Sequence, residues 1–297
     1  MIDVIIPTYN SSKTLIRTLS SIVIQKNVDD LFVTIVDDCS TEKYDEIIEF
    51  YKKYLNIQVI RLEKNSGPGV ARQVGIDSTS NPFITFIDSD DEFFDERSLI
   101  NLRNAIEKFD MAIGLVQYEK AYEKLFFNEC VHGKMYRRSF LKDNNITFAS
   151  YRSHEDNAFN QLCMCICQKI VYVNKIFTIY RYNNNSNSII NTMNYIESMH
   201  NNVNCMNWLF EHIEQSEYKN LNTIAAVIVN IIRYLKINYE YDTKLFEFIP
   251  KECGFLKEEF NKYIEYYTEK PKELSYRENN YGSVSIEKLE EFLKIVK

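Results

Sequence analysis

The chain has 297 residues, 45% of them hydrophobic and 26% charged, which is the balance of a folded globular protein. That balance excludes intrinsic disorder, a collagen-like repeat and a disulfide scaffold. Thirty-five Lys and Arg against 42 Asp and Glu leave a formal charge of -7, so a nucleic-acid footprint over the whole surface is disfavoured and only a local basic groove is permitted.

Val4-Ile-Ile6 is a short continuous apolar run that ends at Pro7, the pattern of a buried strand. Ser11 or Ser12 is placed to cap a helix whose apolar positions Leu15, Leu19, Ile22 and Val23 recur at helical spacing. Residues 31–36 read as a second strand, stopped by Asp37-Asp38-Cys39-Ser40. A charged helix over 43–55 leads to a strand over 57–62. The turn Asn65-Ser-Gly67-Pro-Gly69 precedes a helix over 70–78 and a strand over 83–87. Strands and helices alternating in this way predict a mostly parallel sheet with helices on both faces. Ligands of such sheets bind beyond the carboxyl ends of the strands. All the polar clusters named so far fall at those ends.

Residues 92–190 are less regular: strands are expected within 112–127, at 170–173 and at 177–182, and helices at Phe140-Leu141 and 158–167. An Asn-rich turn follows at 183–187. From Met193 to Lys297 helical periodicity runs throughout, with almost no Gly, which reads as a helical C-terminal extension. Many Tyr and Leu at helical spacing there suggest a homo-oligomer contact. The seven cysteines, an odd number with no signal peptide before Cys39, read as reduced thiols of a cytosolic protein. Cys163, Cys165 and Cys167 spread around a helix, and no second CxxC or HxxxH completes a zinc site, so packed core thiols are expected. The longest apolar run, 224–229, falls far short of the ~20 residues that span a bilayer. The expected location is the cytoplasm, including the periphery of a membrane surface.

Chemistry concentrates at Asp88-Ser89-Asp90-Asp91, behind the strand ending Phe86-Ile87. Carboxylates at the end of a buried strand are costly unless neutralised, and a hard divalent cation sharing oxygen ligands with a phosphate neutralises them. Taken alone, an acidic loop with helix caps explains this motif as well. Asp37 and Asp38 are placed to accept a hydrogen bond from a nucleotide base, while capping suits Ser40. The stretch Asn65 to Arg72 combines permissive backbone with a helix start, which favours an anion. Gly67 and Gly69 do not make a GxGxxG fingerprint, so a Rossmann dinucleotide site is disfavoured.

The ordered set Val4-Ile-Ile-Pro7-Thr-Tyr-Asn10, Val36-Asp-Asp-Cys-Ser40, Asn65-x-Gly-x-x-x-Ala71-Arg72-x-x-Gly75 and Phe86-Ile-Asp-Ser-Asp-Asp91 resembles the family 2 glycosyltransferases. Gly133-Lys134-Met-Tyr136-Arg137-Arg138 resembles the family's K-[LM]-Y-[KR]-R segment. His154-Glu155-Asp156 resembles its acidic pair before a helix, and Tyr180-Arg181-Tyr182 with Ser188-Ile189 its closing segment. The resemblance covers 1–190. It implies an α/β GT-A fold, Rossmann-like, with nucleotide-sugar binding in 1–91, an acceptor half in 92–190 and the helical region 191–297 after it. The sequence departs from the pattern at Cys39, where the family usually has Gly, at Gln73, where Asn is common, and at His132-Gly133.

The resemblance implies an inverting transfer of a sugar from a nucleotide-diphosphate sugar to an acceptor hydroxyl, assisted by Mn2+ or Mg2+ and one carboxylate base. It places Asp37 or Asp38 at the base, Pro7, Thr8, Tyr9, Asn10, Asn65, Gly67 and Arg72 around the nucleotide, and Asp88, Ser89 and Asp91 toward ribose and donor sugar. Asp90 is the implied leading metal ligand, with Asp88. Asp156 is the implied general base, with Glu155 as its alternative, and Lys134 and Arg181 are candidates for phosphate or acceptor contacts. A structural histidine is the simpler reading of His154. The donor is a UDP-sugar or another nucleotide sugar. The acceptor is a glycan, a teichoic-acid-like polymer, a lipid-linked sugar or a protein, the acidic balance weighing against nucleic acid. A nucleotidyltransferase would show a Gly-rich basic loop where Pro7-Thr-Tyr-Asn10 stands. A mere nucleotide-sugar binding module would have no use for the acidic pair.

Overall fold

The computed structural model describes residues 1–28, 30–119, 125–126, 130–181, 193, 195–220 and 223. The turn expected at 183–187, the Tyr182 and Ser188-Ile189 positions, the apolar run 224–229 and nearly all of the expected C-terminal extension lie outside the described residues. One compact unit runs Met1–Lys219 and a second Asn220–Lys297.

Strands β1 (Ile2–Thr8), β2 (Leu31–Asp37), β3 (Asn56–Arg61) and β4 (Phe83–Phe86) form the parallel half of the sheet in the order β3-β2-β1-β4. Helices α1 (Ser12–Val23), α2 (Asp45–Tyr51) and α3 (Pro68–Asp77) make the crossovers. All seven β1 positions are buried, as an interior strand covered on both faces must be, which is why it reads as a continuous apolar run. Its one charged member, Asp3, is satisfied by Arg138 Nη2 at 2.7 Å and by the Asn81 amide N–H at 2.9 Å. Helix α1 buries Leu15, Leu19 and Ile22 against this core. Ser11 stands at its N-cap without capping it; the hydroxyl donates to Tyr9 O at 2.9 Å instead. Helix α2 is shorter than the expected 43–55 because Tyr54 and Leu55 turn back toward β3 through amide bonds to Tyr51 O.

The second half is mixed. β4 pairs antiparallel with β8 (Lys134–Arg137), which continues to β6 (Met111–Tyr118), β9 (Ile170–Tyr180) and β5 (Glu92–Phe93); β7 (Leu125–Phe126) pairs with β6. Two strands expected at 170–173 and 177–182 are one, running beside β6 with register shifts around Leu115. Helix α4 (Ser98–Ala105) leads to β6, and α5 (Arg138–Asp143) follows β8 directly. Helix α6 (Glu155–Ile166) packs with α7 (Tyr195–Gln215) through Ala149, Ala158, Cys205 and Trp208. Helix α7 lies in the first compact unit, beyond the 190 boundary expected for the catalytic domain. Cys163, Cys165 and Cys167 are buried, and the six described cysteines are free thiols.

Gly114 sits where β6 passes under Phe177 of β9: a Cβ there would lie 1.7 Å from Phe177 Cδ2. Because Phe177 is fully buried, it has nowhere to go. Gly114→Ala is expected to lower stability by about 3 kcal/mol through overpacking, and Phe177→Leu in the same chain to recover part of the loss. Urea unfolding midpoints check this; a neutral Gly114→Ala would refute the packing argument.

Candidate active site

The site forms where β4 ends. The β4–β8 register pairs Phe83 with Arg137 and Ile84 with Tyr136, and its continuation sets Asp88 opposite His132. His132 Nε2 lies 3.1 Å from both Asp88 Oδ2 and Asp91 Oδ2. Asp88, whose carboxyl Arg72 keeps ionised, accepts from this nitrogen, so Nε2 carries the proton. The Asp91 oxygen is nevertheless off hydrogen-bond geometry and is buried without a partner among the described residues.

Arg72 on α3 joins this cluster to the second half of the chain. Its Nη2 is 2.7 Å from Asp88 Oδ1 and its Nη1 is 2.7 Å from Glu155 Oε1. Arg72 and Glu155 are each 3% exposed in their side chains, so the pair is fully desolvated. Close approach of α3 to α6 depends on Gly69, where a Cβ would sit 2.5 Å from Glu155 Cγ and 2.9 Å from Ala149 O. Below the pair, Phe148 and Phe159 stack at 3.9 Å and Phe86 meets both edge-on. Tyr136 Oη donates to Asn160 Oδ1 at 3.2 Å, which ties α6 to β8.

Charges in the cluster are strongly coupled. Burial works against an ionised Asp88, but Arg72 and His132 hold its carboxyl below the ordinary range. Burial likewise works against a charged His132, and Asp88 still lifts it well above its usual value. Glu155 is pushed up to about 7 by burial and by neighbouring Asp156, with Arg72 opposing. Burial also raises Asp91, against the pull of His132. Asp156 is half-buried; its carboxylate accepts the Asn157 amide at 2.8 Å and lies within 4.8 Å of Cys130 Sγ and a His132 ring nitrogen.

Other expected residues have their groups in use. Asp37 accepts the Ser40 amide at 2.9 Å and pairs with Arg61 at 2.6 Å. Asp38 accepts the Ser66 and Gly67 amides at 2.7 and 2.8 Å. Both aspartates thus accept loop amides. Ser40 Oγ itself accepts from the Asn10 amide at 2.9 Å, and Asn10 Oδ1 accepts from Thr41. Thr8 and Pro7 are buried in β1, while Tyr9 and Asn65 are exposed. Gly67, at φ +92, begins α3. Ser89 bonds Ser11 at 2.8 Å, and half-buried Asp90 accepts from Arg17 through its main-chain oxygen.

Lys134 is buried, its ammonium donating to the carbonyls of Cys130 and His132. Arg181 places its guanidinium between Glu92 and Glu119, with its amide on Asp91 Oδ1 at 2.8 Å. Both are candidates for phosphate or acceptor contacts from the sequence, and in the structure their cationic groups are engaged within the fold. His154 caps α6 at φ +64 and bonds Ser198 at 3.0 Å, in line with a structural role. His132 was not recognised as a site residue. Its only sequence signal is the departure His132-Gly133, and the strand pairing that gives it meaning is not visible in the chain.

The donor set fits a hard divalent cation. Asp88 and Asp91 converge with His132, a grouping that does not include the expected leading ligand Asp90, and a buried Asp91 oxygen lacks a hydrogen bond among the described residues. Among the described residues no helix is long and apolar enough to cross a membrane.

A family model described as "Glycosyl transferase family 2" matches residues 3–154. Poly(ribitol-phosphate) beta-N-acetylglucosaminyltransferase TarS of Staphylococcus aureus is 34% identical over 179 residues, 53% of this chain. A poly(ribitol-phosphate) beta-glucosyltransferase of Bacillus spizizenii is 30% identical over 192 residues, 57% of this chain. The chain spans 31% and 30% of these two relatives. The crystal structure of S. aureus TarS 1–349 with UDP-GlcNAc superimposes with a TM-score of 0.69 at 20% identity, covering 96% of this chain and 94% of that one. This last likeness is one of fold, and the mixed sheet described above is its GT-A architecture.

Between the carboxyl's ordinary 4.5 and the raised value of about 7 for Glu155, the folded state binds more protons than the unfolded state. This group's contribution is therefore full below that window and is lost as pH rises through it. Glu155→Gln removes that slope. From pH 5 to pH 7 the wild type should lose about 2 kcal/mol more than the variant, read from urea midpoints. Parallel pH profiles would show that Glu155 titrates normally.

Proposed function

The chain belongs to glycosyl transferase family 2, and from that premise we propose that it moves a sugar from a UDP-sugar to an acceptor hydroxyl with inversion at the anomeric carbon. The observation that carries this reading is the convergence of strand-end carboxylates with a helix-start carboxylate, Asp156, across the buried Arg72–Glu155 pair. Inversion needs one carboxylate on the acceptor side, ionised and accessible to the attacking hydroxyl. Asp156 is the accessible member of the acidic pair: it is half-buried and outside the Arg72–Glu155 pair, whereas Glu155 is sealed within it. Glu155 is then a positioning residue that holds Arg72.

Asp90 and Asp88, with Asp91 behind them, would hold Mn2+ or Mg2+. Such an ion, when bound, supplies charge stabilisation to the departing diphosphate. Arg72 fixes the direction of Asp88, its own donors being engaged by two carboxylates. The Asp37 and Asp38 loops, held by backbone amides, present a preformed edge to the nucleotide. The names of the two relatives suggest UDP-GlcNAc or UDP-glucose as donor and a polyol-phosphate polymer as acceptor.

Thermal unfolding with UDP-, GDP-, CMP- and dTDP-sugars, with and without Mn2+, tests the donor: a UDP-sugar should raise the midpoint by linkage, and more so with the ion. No shift with any UDP-sugar would overturn the assignment. Asp156→Asn should keep donor affinity while transfer falls ~10²-fold or more. Equal loss of donor binding would make Asp156 a donor-site residue, and normal turnover would remove it from the mechanism.

A further inference from the structure

Cys130 lies two residues before His132 in the segment entering β8, and the proposed transfer has no use for its thiol. Its Sγ, a ring nitrogen of His132 and a carboxylate oxygen of Asp156 lie within 4.8 Å of one another. Cys130 and Asp156 are half-buried and His132 is buried. The thiol donates to Asn157 Oδ1 at 3.1 Å, the residue next to Asp156.

His132 decides what this cluster can hold. Its Nε2–H is fixed between Asp88 and Asp91, each at 3.1 Å. Its Nδ1 is buried, with no oxygen or nitrogen partner among the described residues and only the Cys130 thiol beside it. A thiol is a weak hydrogen-bond partner, so this nitrogen is poorly satisfied and open to a ligand. A histidine whose far nitrogen is held by carboxylate is also the arrangement that orients imidazole toward a metal. Sulfur, imidazole nitrogen and one carboxylate oxygen suit Zn2+, whereas Mg2+ prefers oxygen alone.

We propose that Cys130, His132 Nδ1 and Asp156 form a second cation site, selective for Zn2+ and separate from the oxygen-rich donor site. Three protein ligands leave a fourth tetrahedral position for water. Binding sends the thiol proton, and any proton on Nδ1, to solvent. Once its carboxylate ligates the ion, Asp156 no longer accepts the proton of an attacking hydroxyl, so Zn2+ inhibits transfer. The inhibition rests on Asp156 being the base; the site itself does not.

Co2+ is the probe, added to the full chain with saturating Mg2+ to fill the oxygen-rich site. One equivalent should give the intense visible bands of a tetrahedral ion and a thiolate-to-Co2+ charge-transfer band, both abolished by Zn2+. Cys130→Ser, checked for native circular dichroism, should lose the charge-transfer band and bind Zn2+ roughly 10²-fold more weakly. Cys130→Ala serves the same purpose if the serine variant does not fold. Transfer from the UDP-sugar should stop with Zn2+ and return after chelation and fresh Mg2+. Absence of the charge-transfer band, or its survival without Cys130, overturns the site. Zinc bound through thiolate with undiminished transfer keeps the site and removes Asp156 as the base. An intact band in a protein that transfers from no donor keeps the site and removes the enzymatic reading.

Discussion

The site hangs on one guanidinium. Arg72 reaches Asp88 on one side and Glu155 on the other, residues separated by 16 and 83 positions in the chain. A buried ion pair is a poor source of net stability, because desolvating the charges offsets most of their attraction. Its value lies in what it forbids. With Arg72 sealed, any displacement of α6 from α3 strands a buried charge, at a cost of about 3–5 kcal/mol. The distance between the strand-end carboxylates and the start of α6 is thereby fixed. On the proposed reading, that distance is what positions donor and acceptor for transfer.

Helix geometry then divides the acidic pair. Successive helical residues point about 100° apart, so the start of α6 cannot bury both carboxylates in one direction. Glu155 turns under Arg72 and Asp156 turns toward the opening. Both benefit from the helix N-terminus, whose free amides favour negative charge. Two adjacent acids therefore acquire different environments: one is desolvated and raised to about 7, the other half-exposed beside Cys130 and His132. Only the folded helix makes the distinction, since both residues match the same motif in sequence.

The parallel half of the sheet was legible because β1 to β4 are buried on both faces and separated by helices with clear periodicity. The strand-end clusters followed from that topology. The second half was not legible, for a physical reason: β8 has four residues, and its place between β4 and β6 is set by pairings remote in sequence. His132 acquires its role only through that pairing. The partners of Lys134 and Arg181 were not legible either, because an isolated cation in sequence carries no record of them. The loop carbonyls and glutamates that hold them come from the fold. At Cys39 the sequence showed a departure from a usual glycine, and the backbone there does adopt φ +62. The loop holds this uncommon conformation through the Asp37–Ser40 and Asp37–Arg61 contacts on either side.

The charge balance of the cluster carries the last step. Asp88, Asp91, Glu155 and Asp156 bring four carboxylates, while Arg72 and His132 bring two cations. Were all ionised, the cluster would be negative in a largely desolvated setting, which burial penalises. Glu155 and Asp91 are raised first by burial and then by the neighbouring carboxylates Asp156 and Asp88, against the pull of Arg72 and His132. On the proposed reading, a divalent ion at the strand-end carboxylates would supply positive charge there and favour their ionised forms. Binding of a cation and ionisation of these carboxylates would then be one equilibrium, and a donor diphosphate, which brings its own negative charge, would enter more readily with the ion in place.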